Sequence, residues 1–153
     1  MEKDFPAEKE RIYIEKAGHH RISKAFLSVV KLEGWGKTRF GWYLGFYGQK
    51  WHRSDFPKNA VGKPLSIGQV ATDHQEIPIN AKVNIEGLAQ SKLDHKSAQS
   101  HFVSTDSGSL IRGKKIDIYT GEGKSAQSLT YQITGNYRVC YASSIQQPPV
   151  ISI

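Results

Sequence analysis

Residues 40–47 read Phe40-Gly41-Trp42-Tyr43-Leu44-Gly45-Phe46-Tyr47, and this octapeptide decides the fold class. In an extended chain, successive side chains point to opposite faces. Phe40, Trp42, Leu44 and Phe46 then share one side, which belongs in a core. Gly41, Tyr43, Gly45 and Tyr47 share the other, where each glycine leaves room beside a ring. A helix would scatter both sets around its surface, so the period of two argues for a strand.

The same period recurs downstream. Ile77, Ile79, Ala81, Val83 and Ile85 alternate with Pro78, Asn80, Lys82, Asn84 and Glu86, which predicts a strand over 77–86 with Pro78 at its start or at a sheet edge. Residues 102–104 and 115–119 are shorter strand candidates, separated by the turn Thr105-Asp106-Ser107-Gly108-Ser109. Near the C-terminus, Leu129, Tyr131 and Ile133 alternate, as do Tyr137, Val139 and Tyr141. A three-residue loop at 134–136 pairs Ile133 with Tyr137, Tyr131 with Val139 and Leu129 with Tyr141. That register leaves one face wholly apolar and places Cys140 on the polar face.

Upstream the signals are mixed. Residues 6–17 favour a short helix, with Asp4 as cap, Pro6 in the first turn and Gly18 at the end. The competing strand puts Ile12 and Ile14 on one side. Residues 22–33 fit helical spacing through Ile22, Phe26, Val29 and Val30, and their β-branched content also fits a buried strand. Residues 52–76 are polar and carry Pro57, Gly62, Pro64 and Gly68, which predicts a long irregular connection hiding at most a short strand near 65–70. Lys-Ser-Ala-Gln-Ser occurs at 96–100 and at 124–128, each copy before an apparent strand.

These elements predict a mainly β protein: one antiparallel β-sandwich or barrel with one or two short N-terminal helices. The 153 residues suit a single domain, 1–153, with 1–20 as an N-terminal segment. No strand–helix alternation points to a doubly wound fold.

Composition narrows the function classes. Cys140 is the sole cysteine, which excludes an intrachain disulfide and a cysteine-based zinc cluster. The charged N-terminus does not read as a signal peptide, and the longest mostly apolar run, 25–30, is far short of the roughly 20 residues of a spanning helix. The expectation is a soluble chain, cytoplasmic as synthesised.

Catalytic motifs do not mature. Gly34-Trp35-Gly36-Lys37-Thr38 resembles the end of a phosphate-binding P-loop, but Lys31 stands where the pattern requires glycine, and β-patterned residues follow Thr38. Six histidines are scattered at 19, 20, 52, 74, 95 and 101, without the i, i+4 spacing of a helical metal site. The His-x-Ser triplets at 52–54 and 95–97 have polar flanks unsuited to a buried catalytic strand. Asp73-His74 and Asp94-His95 carry no directing pattern. No catalytic, metal or cofactor residue is assigned. Cys140 beside Arg138 leaves a Cys–His hydrolase or deamidase as one alternative.

The strongest signal is a basic, aromatic segment. The chain carries 21 Lys plus Arg against 14 Asp plus Glu, a net charge of +7. Residues 16–60 hold nine of those bases, two acids (Glu33 and Asp55) and all three tryptophans. Cations beside ring faces suit unpaired bases and phosphates or anionic lipid headgroups. The expected function is a non-enzymatic binding or assembly module that meets an anionic partner, nucleic acid or an anionic membrane, through residues 35–53. Lys37, Arg39, Tyr43, Tyr47, Lys50, Trp51 and Arg53 are the expected contacts. A homo-oligomer or larger assembly fits the same features, and a membrane-active β-protein of toxin type is the runner-up.

Overall fold

The computed structural model describes residues 1–88, 93 and 101–142. Among the described residues the protein is mainly β, with two sheets and two α-helices. It forms two compact units, one of residues 1–65 and 108–110, the other of residues 66–107 and 111–153.

In the first unit the sheet order is β2-β1-β5-β4-β3. Its strands are β1 (Lys9–Glu15), β2 (Gly18–Ser23), β3 (Trp35–Lys37), β4 (Tyr43–Tyr47) and β5 (Lys50–Ser54). The helix expected over 6–17 is instead β1. Ile12 and Ile14 are buried while Arg11 and Tyr13 are exposed, and Lys16, at φ 60°, turns the chain back into β2. Side-chain alternation outweighed the capping signals because β2 supplies a partner in register. The ambiguous segment resolves as helix α1 (Lys24–Glu33), whose N-cap Ser23 accepts a hydrogen bond from the Phe26 amide at 3.4 Å. Gly34, at φ 102°, ends it.

The quoted octapeptide forms a strand only from Tyr43 onward. Trp42 and Leu44 are buried, whereas Phe40 lies outside the strand and is exposed. Gly48 and Gln49, at φ 57° and 61°, make the two-residue turn into β5, the left-handed pair that matches strand twist. Helix α1 supplies Phe26, Leu27 and Val30 to a core with Ile12, Ile14, Ile22, Trp42 and Leu44. Gly36 lies beneath it: a Cβ there would stand 2.6 Å from the Phe26 ring and 2.7 Å from Val30.

In the second unit the sheet order is β10-β7-β8-β6-β9. Its strands are β6 (Gln69–Ala71), β7 (Lys82–Ile85), β8 (Phe102–Asp106), β9 (Asp117–Ile118) and β10 (Val139–Ala142). Val70, Val83, Ile85, Leu88, Leu93 and Phe102 form its core. The strand expected over 77–86 starts only at Lys82. Asn80 takes the left-handed conformation at φ 65°, and the Ala81 amide closes a turn on Pro78. Each sheet contains one parallel pair, β1 with β5 and β6 with β8, beside its antiparallel pairs.

The C-terminal hairpin is overturned. Residues Lys124–Ile133 form helix α2, and only Val139–Ala142 is strand, paired with β7. Ala126, Leu129 and Ile133 stand three and four residues apart and line the inner side of α2, while Tyr131 is 74% exposed. The second Lys-Ser-Ala-Gln-Ser copy therefore opens a helix rather than preceding a strand. The first copy, His95 and the 95–97 triplet lie outside the described residues. Among the described residues no helix is long and apolar enough to cross a membrane.

Candidate functional site

The expected contact residues divide between the two faces of the first sheet. Pairing sets Phe46 beside Trp51 and Leu44 beside Arg53, on the face that carries α1. There the Trp51 ring packs on Phe46 at 4.7 Å between centroids, and Arg53 lies over Trp42. Arg39 sits outside the strands. Its guanidinium pairs with the buried Glu2 carboxylate and donates to the Arg21 carbonyl at 2.8 Å. The opposite face keeps Lys37, Tyr43, Tyr47 and Lys50 together. Lys37 lies over the Tyr43 ring, and Lys50 pairs with Glu15 at 3.4 Å. Trp35 and His52 join them there, the latter stacked on Tyr47 at 3.6 Å. Cys140, on β10, is exposed.

A second site, in the second unit, has no counterpart in the expectations. Strands β6 and β8 run parallel; Thr72-Asp73 follows the end of β6, and Thr105-Asp106 closes β8. Parallel pairing carries both aspartates toward one end of the sheet, with Asp106 beside Ala71 and Asp73 two residues further along the chain. Strand β9 runs against the other edge of β6 and places Asp117 opposite Ala71, whose neighbour on β8 is Asp106. Three carboxylates from three segments thus surround the C-terminal end of β6. They are spread across strands rather than gathered on one point: among the described residues no three His, Cys, Asp or Glu side chains are placed to hold a metal ion.

The surroundings of these aspartates differ. Asp73 accepts the Gly113 amide on Oδ2 at 2.8 Å and the Gln75 amide on Oδ1 at 3.1 Å. Gly113 reaches it from a left-handed turn, φ 59°. These two amides, helped by Arg112 and His74, hold the Asp73 carboxyl below its ordinary value. Asp117 is treated oppositely. Partial desolvation of the carboxyl pushes it above its ordinary value, against the pull of Lys115 and the Ile118 amide, while Asp117 as a residue is exposed. Asp106 accepts the Ser107 amide on Oδ1 at 2.9 Å.

The scaffold beneath is tied together by hydrogen bonds. The Thr72 and Ser104 hydroxyls, both fully buried, bond each other at 2.7 Å, and Thr72 Oγ1 also donates to the Ile77 carbonyl at 3.2 Å. The Thr72 amide and His74 Nε2 both donate to the Asp106 carbonyl, at 3.1 and 3.0 Å. The His74 bond requires the proton on Nε2, since a carbonyl oxygen can only accept. Thr72, Asp73, His74, Gln75, Ser107 and Arg112 line an open cleft of about 360 Å³. Asp117 is paired across β6 with Ala71, the residue before cleft-lining Thr72.

The sequence held one overlooked signal for this site: Val70-Ala71-Thr72-Asp73 is echoed by Val103-Ser104-Thr105-Asp106. Residues 68–141 match the family model described as the 3D domain. The matched stretch contains all three aspartates and is slightly under half of the chain. No curated protein and no solved structure matches the chain.

Proposed function

We propose that the second unit is an acid–base catalyst for cleaving glycosidic bonds. The observation that carries this reading is the pair of carboxyls flanking the end of β6 with environments that shift them in opposite directions. Two titratable groups driven apart are the physical basis for assigning one as acid and the other as anion. Glycosidic cleavage needs both, because the leaving oxygen must be protonated while positive charge grows on the sugar.

Asp117 keeps its proton to higher pH and donates it to the leaving oxygen. Asp73 stays ionised, and its amide-held carboxylate faces the developing positive charge. Water then adds to the sugar, and its proton reloads Asp117. Arg112, Gln75 and His74 border the cleft and can meet sugar hydroxyls. The match of residues 68–141 to a recognised domain family supports reading this unit as a functional module.

The test is the release of new reducing ends from a panel of polysaccharides, followed against pH. The rate should be bell-shaped, rising as Asp73 ionises at low pH and falling as Asp117 loses its proton. Asp117→Asn should lower the rate by about 10²–10⁴-fold, the usual weight of a general acid. Full activity in both Asp73→Asn and Asp117→Asn would overturn the proposal.

A further inference from the structure

The sheet face opposite α1 in the first unit carries an unbalanced charge and a set of exposed rings. Strand pairing places Lys9, Arg11, Arg21, Lys37 and Lys50 on it, with Glu15 as the single strand carboxylate. Arg11 and Arg21 stand directly opposite each other across β1 and β2, and both are exposed. Like charges in that position destabilise a sheet. Among the described residues neither guanidinium has a carboxylate partner. A sheet gains nothing from this arrangement in isolation, but an anion bridging the two guanidiniums would relieve it.

The rings are placed to receive a ligand. A Cβ on Gly45 would lie 2.7, 2.7 and 2.8 Å from three Trp35 ring atoms. Three nearly equal distances mean that the indole lies flat on the Gly45 backbone and turns its other face outward. Gly45 is what permits this. Tyr47 stands 6.2 Å from Trp35 between centroids, tilted by 54°, and is 52% exposed. Tyr13 and His19 extend the aromatic surface over β1 and β2.

We infer that this face binds an acidic polysaccharide. The inference rests on the glycosidic reading of the second unit, since a polymer held on one unit could serve as substrate for the other. Sugar rings lie against flat aromatics, and uronate carboxylates match guanidinium and ammonium donors. The tilt between Trp35 and Tyr47 favours this partner over unpaired nucleic acid, whose successive stacked bases present parallel planes. Tyr47 has also committed one ring face to His52.

The full chain carrying Asp117→Asn, which silences cleavage on the proposal above, is titrated by intrinsic tryptophan fluorescence. The probes are polygalacturonate oligomers, neutral galactan, a single-stranded oligonucleotide and phosphatidylglycerol vesicles. Polygalacturonate should bind, and added salt should weaken it. Arg11→Gln with Arg21→Gln should lower that affinity about tenfold, the equivalent of losing one charge-assisted contact. The same double variant should melt no lower than the parent, because it removes a cross-strand repulsion. Trp35→Ala should weaken binding independently. Tighter binding of the oligonucleotide or vesicles, equal binding of neutral galactan, or unchanged affinity in the double variant would each overturn the inference. Reducing-end release from neutral glycans by the otherwise unsubstituted chain reports on the catalytic reading alone, so its loss does not imitate a loss of binding.

Discussion

Asp73 and Asp117 are the same residue type put to opposite use by their neighbours, and stability should record the difference. The folded state favours ionised Asp73, because two amides donate to its carboxylate. A lowered value in the fold contributes stability above the unfolded value and loses it as pH falls through the folded one. The folded state disfavours ionised Asp117, so its raised value costs stability at neutral pH and costs nothing once acid protonates it. Replacement by Asn removes the ionisation from each. Asp73→Asn should therefore lower Tm at pH 7, and Asp117→Asn should hold or raise it. Both differences should shrink as the parent carboxyls protonate in acid. Thermal melts of the two variants from pH 7 to pH 3 check this; equal shifts of one sign would show that neither environment acts as described.

Among the elements, α1 and its seat on β3 give the sharpest packing test. Gly36 is covered so closely by Phe26 and Val30 that a methyl group overlaps both. Overpacking of this kind costs about 1–3 kcal/mol, so Gly36→Ala should lower the denaturation midpoint accordingly. Gly48→Ala, at a turn where a Cβ meets nothing within 4 Å, provides the contrast, since its cost arises only from the left-handed backbone. Urea titrations of both variants separate the two causes. The same elements show what could be read from the chain. The strand at 43–47 was legible because its alternation survives in one sheet and its turn is local. Helix α2 was misread because Leu129 and Ile133 satisfy a period of two as well as i, i+4, and only Ala126 distinguishes them. Strand β1 was misread because capping residues resemble a helix start when no partner strand is in view. The carboxylate site stayed hidden for a different reason: Asp73, Asp106 and Asp117 are separated along the chain, and only the parallel pairing of β6 with β8 and the antiparallel β9 place them at one end. The Thr-Asp pairs at 72–73 and 105–106 were visible, but a repeated dipeptide acquires meaning only when its segments are known to be neighbours.

At the scale of the molecule, most of the net charge of +7 and the three tryptophans have a shared address. Trp35, Trp42 and Trp51 all belong to the first unit, and the second unit has none. The two cores share no residue: one is built on Ile14, Ile22 and Leu44, the other on Val70, Val83 and Phe102. Damage to one core should therefore be reported separately from damage to the other. Phe102 is fully buried, and Phe102→Ala should cost about 3–5 kcal/mol in the second unit. Tryptophan emission, which reports the first unit alone, should keep its parent midpoint in urea. Far-UV circular dichroism, which sums both units, should split into two transitions, the earlier one belonging to the second unit. A tryptophan midpoint that moves with the circular dichroism would mean that the units unfold as one cooperative body. The proposed binding through the first sheet and the proposed cleavage at the aspartates would then have to be lost together in every core variant, whereas separate transitions allow a chain whose first unit still binds the proposed polymer after the second unit has melted.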